Sequence, residues 1–319
     1  MKRRGREASG RRFRFVSRKE RLLRLLRLAA SAALCCAALV CVWQLIRYAV
    51  DDRRAKDASA ALRAEYYSQP ASTPQPSALP AETEAPPAAA AAPSPSPQPD
   101  TLPAVRYPNN PYATVSSRFR KLRQQNGDIV GWLKIEGMLD EAVVQRDNAY
   151  YLARDYRGYH NVNGAIFLDE SCALDTRPYT LILYGHNMKT GAMFGSLRNY
   201  ENLRYYKANP FITFDTAYEE GEYVVFCVAT VGVTPESRSS VNFALLESLS
   251  LSQREEALET LTGYSLYKTS LDVQPDDQLL LLMTCVDDDS ERRVVAARRL
   301  REGENRERLE KIVQEARKK

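Results

Sequence analysis

Three side chains in this sequence have the types and placement needed for acyl transfer through sulfur: Cys285, His186 and Arg292. Cys285 ends the apolar run Leu279 to Met283 and Thr284, which reads as a buried strand, and it then meets an acidic, turn-prone segment. Arg292 lies seven residues further on and opens a second β-branched run, Val294-Val295, so two neighbouring strands would hold a thiolate and a guanidinium side by side. A thiol is a nucleophile at neutral pH only where positive charge favours the thiolate. His186 follows Leu183-Tyr184-Gly185 at a strand end, where an imidazole trades protons with a thiol and then with a leaving amine. A guanidinium stabilises the oxyanion of such an attack through two parallel N–H donors. Each residue alone has a blander reading: a hydrogen-bonded turn histidine, a structural cysteine, an edge-strand surface charge. Their order and their positions at strand ends together favour the chemistry. His160, with no strand leading into it, has only the bland reading.

Composition narrows the field. Twelve Lys or Arg against two Glu between Met1 and Arg27 give that stretch +10, so the rest of the chain sums to −5 although the whole carries +5. The basic excess is local, and nucleic-acid binding by the main domain loses its chief support. Of six cysteines, three (Cys35, Cys36, Cys41) sit in an apolar run and three (Cys172, Cys227, Cys285) are scattered beyond it. No CxxC pair occurs, so neither a metal site nor a disulfide framework is expected, and no cofactor is implied. Cys227, within Tyr223 to Val228, reads as core; Cys172 is unassigned.

Next come the elements that must position these groups. From Leu28 to Ile46 no residue is charged, and 19 residues at about 1.5 Å each span about 29 Å, the thickness of a bilayer core. Residues 28–50 are therefore expected to be a membrane anchor, with a cleavable signal peptide as the competing reading. The basic tail, residues 1–27, places the N-terminus in the cytoplasm and the rest outside. Residues 51–105 form a spacer: a short charged segment, helical to about Tyr67, then Pro, Ala and Ser with nothing to bury. The folded domain, residues 106–319, has sequence signals from about Pro111. A helix is predicted over Val115 to Gln125, stopped by Asn126-Gly127. Strands are predicted at Ile129 to Ile135, Ala142 to Gln145, Ala165 to Leu168, Thr180 to Tyr184, Phe211 to Phe214, Tyr223 to Thr230, Leu279 to Thr284 and Arg292 to Ala297. Many short strands with Gly- and Asn-rich turns make the fold mostly β, a closed or nearly closed barrel. A helix between Phe243 and Leu261 would cross it, and a polar helix is predicted from Asn305 to Lys319.

Several blocks resemble class B sortases of Gram-positive bacteria. They are Tyr184-Gly185-His186-Asn187-Met188 with Gly191-Ala192-Met193-Phe194-Gly195, Met283-Thr284-Cys285 with the Arg-x-Val-Val strand, Gln145 to Leu152, and Gly164 to Asp169. The resemblance runs from about Phe119 to Leu300. It implies a sortase-type closed β-barrel with N-terminal helices, an inserted helix before the cysteine strand and a C-terminal helix. It implies an activity as well. Cys285 attacks the threonine carbonyl of a C-terminal sorting signal on a secreted protein, His186 protonates the departing amine, and an amine of a peptidoglycan precursor or cross-bridge displaces the enzyme. Arg292 would hold the oxyanion, and Tyr184, Asn148 and Thr284 would contact the peptide. The partners so implied are a sorting-signal peptide, a cell-wall amine and the lipid bilayer through residues 28–50; no metal is required.

The sequence departs from the family in three respects. Met283 stands where relatives commonly carry Ser, the short Cys285-to-arginine spacing leaves Arg293 as an alternative register to Arg292, and the long Pro/Ala linker and basic tail lie outside the shared region. Two rival readings stand beside the transpeptidase: a thiol peptidase hydrolysing the same intermediate, and a membrane-tethered barrel that only binds.

Overall fold

The computed structural model describes residues 18–69, 114–232, 243–286 and 291–319, with Cys285 and Val286 described through the backbone only. Most of the basic tail, the Pro/Ala-rich part of the spacer, the expected start near Pro111 and the acidic turn after Cys285 lie outside the described residues. The chain divides into two units, Met1–Arg53 and Arg54–Lys319.

In the first unit the described residues belong to one helix, α1 (Arg18–Ser68), which continues into the second unit. Its apolar stretch has a mean hydropathy of 2.1 over its best window, and none of that window is buried. Leu28, Leu34, Leu39 and Leu45 are all exposed. By length and composition this helix can cross a membrane.

The second unit is a closed barrel. Its strands are β1 (Ile129–Ile135), β2 (Leu139–Val144), β3 (Ile166–Leu168), β4 (Thr180–Tyr184), β5 (Phe211–Thr216), β6 (Glu222–Gly232), β8 (Leu279–Val286) and β9 (Glu291–Arg299), in the order β1-β2-β3-β4-β8-β9-β6-β5. The β2/β3 and β4/β8 pairs are parallel, and the other neighbours are antiparallel. Thr180-Leu-Ile-Leu and Leu279-Leu-Leu-Leu-Met are apolar without alternation because both faces of β4 and β8 are covered. Two further short strands, β7 (Tyr267–Lys268) and β10 (Arg317–Lys318), pair with each other.

The helices cap as their sequences direct. Ser116 accepts from the Phe119 N–H at the start of α2 (Ser117–Gln125), and α3 (Leu203–Ala208) starts at Asn202. The crossing helix predicted between Phe243 and Leu261 is broken into a helical turn, Phe243–Ser248, and α4 (Leu251–Gly263), which Ser250 and Gln253 restart with a capping box. The terminal helix is shorter than predicted. α5 (Arg306–Gln314) stops, and the last residues turn to pair with β7, with Lys319 N–H reaching Leu266 O at 3.0 Å.

Part of the expected spacer is packed structure. Leu62 and Tyr66 of α1 are buried, and Tyr66 stacks on Trp132 with ring centroids 4.3 Å apart. Tyr66 also donates to the Asp215 carboxylate. With Phe119, Leu122, Ile129 and Tyr151 these residues form a second core on the outside of the barrel. Apolar side chains at Ala58, Leu62 and Tyr66 fall on one helical stripe, which the charged composition of the segment masks.

Candidate active site

The register of three adjacent strands decides what can meet. In the parallel β4/β8 pair Tyr184 is the partner of Met283, and the Gly185 N–H extends the ladder to Met283 O at 3.3 Å. His186 and Cys285 each lie two residues beyond that pair, so they leave the barrel from the same end of neighbouring strands. On the other side of β8, Cys285 is the cross-strand partner of Arg292. Three residues up to 106 positions apart in sequence are thus brought to one end of β4, β8 and β9.

His186 is half-buried, and its Nε2 lies 2.6 Å from the carbonyl oxygen of Leu152. Leu152 belongs to a helical turn, Tyr150–Ala153, pinned by the buried Tyr151. The Tyr151 hydroxyl donates to Asp128 Oδ2 at 2.7 Å and accepts from Asn126 Nδ2 at 2.8 Å. Gly185 allows the buried Phe194 ring to underlie the histidine turn: a Cβ there would come within 2.9 Å of Phe194 Cγ.

Arg292 is half-buried and donates to Glu291 O at 3.2 Å. Its neighbour Arg293 is buried, is the partner of Thr284, and donates through Nε to Glu201 Oε1 at 2.9 Å. Thr284 is itself buried, and its hydroxyl has no hydrogen-bond partner among the described residues. The register sets it one position out of phase with Cys285 and Arg292, so this expected peptide contact is placed with the core.

Tyr184 and Asn148 are joined by a residue that sequence reasoning left without a role, the buried Asp169. Asn148 Nδ2 donates to Asp169 Oδ2 at 3.0 Å, and the Glu170 N–H donates to Asn148 Oδ1 at 3.0 Å. Burial raises the Tyr184 phenol well above its usual range. The Asp169 charge and hydrogen bond push the same way, while Arg292 opposes them, which puts Arg292 within electrostatic reach of this network. Asp169 ends the quoted block Gly164 to Asp169, but nothing in a lone Asp after a strand marks it as a hub.

The other thiols of the barrel are unsuited to nucleophilic work. Cys172 and Cys227 are buried, and burial pushes each thiol up to about 12. His160 is exposed, bridged to Arg154 by backbone pairing. Among the described residues no group of three His, Cys, Asp or Glu is placed to hold a metal ion.

Comparison with known proteins bears on the family and the fold. The family model described as the sortase domain matches residues 133–300. Sortase B of Listeria monocytogenes is 28% identical over 173 residues, covering 54% of this chain and 68% of that protein. Among solved structures, sortase B from Bacillus anthracis is 27% identical with a TM-score of 0.58, covering 77% of this chain and 95% of that one. A Staphylococcus aureus sortase B–substrate complex is 27% identical with a TM-score of 0.53, covering 60% and 88%. With the family match spanning more than half its length and sortase B proteins recurring among its relatives, the chain belongs to the sortase family and is a class B sortase, a cysteine transpeptidase.

Proposed function

We propose that this transpeptidase cleaves a C-terminal sorting signal of secreted proteins in a Gram-positive cell and joins the acyl part to a cell-wall amine. Cys285 is the nucleophile, His186 the general acid and base, and Arg292 the oxyanion donor. The observation that carries the assignment is the strand register: Cys285 sits two residues past the Tyr184–Met283 pair, as His186 does, and opposite Arg292.

In this reading the Cys285 thiol gives its proton to His186, and the thiolate adds to the threonine carbonyl carbon. The oxyanion forms charge-assisted hydrogen bonds to the Arg292 guanidinium. His186 returns the proton to the departing amine as the C–N bond breaks, leaving a thioester. An incoming amine then loses a proton to His186 and displaces the sulfur. Asn148 and Tyr184, braced by Asp169, line the peptide path. The S. aureus sortase B–substrate complex supports a peptide substrate for a barrel of this kind.

The apolar part of α1 is compatible with an anchor, and the preceding basic stretch supports a cytoplasmic N-terminus with the barrel on the outer side. The test is product analysis. A sorting peptide incubated with and without an amine acceptor should yield amide product only when the amine is present; identical products in both arms would leave a hydrolase.

A further inference from the structure

One ring nitrogen of His186 is already committed. Nε2 lies 2.6 Å from Leu152 O, and a carbonyl only accepts, so Nε2 carries a proton whether the ring is neutral or charged. Among the described residues Nδ1 has no hydrogen-bond partner. The carbonyls flanking Leu152 are occupied by backbone donors of the returning chain: Tyr151 O accepts from Ala165 N–H at 3.1 Å and Ala153 O from Asn161 N–H at 3.0 Å. The Leu152 carbonyl, held between them, is the one turned to the imidazole.

Gly164 is what lets these partners meet. Its φ is +63°, and a Cβ there would lie 2.7 Å from Leu152 O, 2.8 Å from Tyr151 O and 3.1 Å from His186 Cδ2. Any side chain at this position both adopts a disfavoured backbone conformation and presses on the carbonyl and the ring it serves.

The geometry points to the Leu152 carbonyl as a positioning group that keeps His186 in the Nε2–H tautomer and leaves Nδ1 to carry the catalytic proton, with Gly164 as the residue that makes the contact sterically available. This rests on the roles given above to His186 and Cys285. The S–H proton passes to Nδ1 as sulfur bonds to the carbonyl carbon. It then goes to the leaving nitrogen as the C–N bond breaks. In the second half-reaction the attacking amine protonates Nδ1, and that proton reaches sulfur as the C–S bond breaks. The Nε2–H stays on Leu152 O throughout and stabilises the imidazolium formed in between.

The test uses the full-length protein in detergent with 15N-labelled histidine; His160→Gln removes the other imidazole from the spectrum. The neutral His186 ring should show the Nε2–H tautomer, and a dominant Nδ1–H tautomer overturns the proposal. Gly164→Ala should lower kcat for thioester formation by about 10- to 100-fold with KM within about twofold, as a displaced base would. A folded Gly164→Ala enzyme of unchanged kcat overturns it. Where that variant does not fold, an ester in place of the Leu152–Ala153 peptide weakens the acceptor without adding atoms. It should lower kcat and shift the tautomer ratio toward Nδ1–H, and no change in either overturns the proposal. Thioester formation at the wild-type rate in His186→Ala would sink the proton-carrying role together with the reading beneath it, whereas an Nδ1–H ring in an enzyme that needs His186 sinks the proposal alone.

Discussion

Across the β8–β9 ladder Cys285 stands opposite Arg292, while Thr284 stands opposite Arg293. Successive strand positions alternate faces, so the two arginines serve different surfaces. Arg293 is buried and tied to Glu201; Arg292 is half-buried within reach of the Tyr184–Asp169 network.

That division separates two mutants. Arg292→Ala should lower the rate of thioester formation by about 100-fold or more while leaving the melting temperature near that of the parent. Arg293→Ala should keep the chemistry but lose about 1 kcal/mol of stability, a modest figure because Glu201 is half-exposed. Single-turnover acylation and thermal melting measure the pair, and the opposite pattern would shift the strand register by one.

Thiol chemistry should single out Cys285. With Cys35, Cys36 and Cys41 each changed to Ser, an alkylating reagent at about pH 7.5 should modify one thiol and abolish transpeptidation, and Cys285→Ala should take up none. Cys172 and Cys227, held protonated up to about 12 by burial, gain thiolate only as pH climbs toward that value. Mass spectrometry of the labelled protein counts the sites; prompt labelling of either buried thiol would contradict the packing.

Thr284 offers a test of the peptide contacts. Thr284→Val keeps the shape and removes a buried hydroxyl that has no partner among the described residues. Stability should hold or rise by about 1 kcal/mol, and peptide KM should stay within about twofold. A large rise in KM would return Thr284 to the substrate path.

Asp215 should make stability pH-dependent. Burial raises its carboxyl above the usual carboxylate range, although the Tyr66 hydroxyl and Arg118, at 3.6 Å, pull the other way. The folded state therefore binds the proton more tightly than the unfolded chain. Its contribution is favourable below the unfolded value of about 4 and fades as pH rises through the raised one. Asp215→Asn keeps an acceptor for Tyr66 and abolishes that slope. In urea titrations from about pH 4 to 8 the mutant should gain on the parent as pH increases, and a constant difference would refute the assignment.

The strands were readable because their signals are local. Ile129–Ile135 and Thr180–Tyr184 have the expected bounds, and the apolar runs of β4 and β8 announced strands covered on both faces. The positions of His186 and Cys285 at strand ends were equally plain. Hidden from view were relations that depend on tertiary register: which arginine faces the cysteine, Asp169 as the brace between Asn148 and Tyr184, and a backbone carbonyl as the partner of His186. A carbonyl leaves no mark in the residue types. The docking of α1 was hidden differently, since Leu62 and Tyr66 lie among charged residues, next to a Pro- and Ala-rich run that reads as linker.

That docking changes what the Pro- and Ala-rich run can do. Arg118 Nη2 reaches the Gln69 carbonyl at 3.5 Å and its guanidinium lies over the Tyr66 ring, so the 44 residues from 70 to 113 set out from and return to the same body. The chain connection from the apolar stretch to the barrel is therefore α1 itself, Arg18–Ser68, and the Pro- and Ala-rich run begins only after that helix has packed against the barrel through Leu62 and Tyr66.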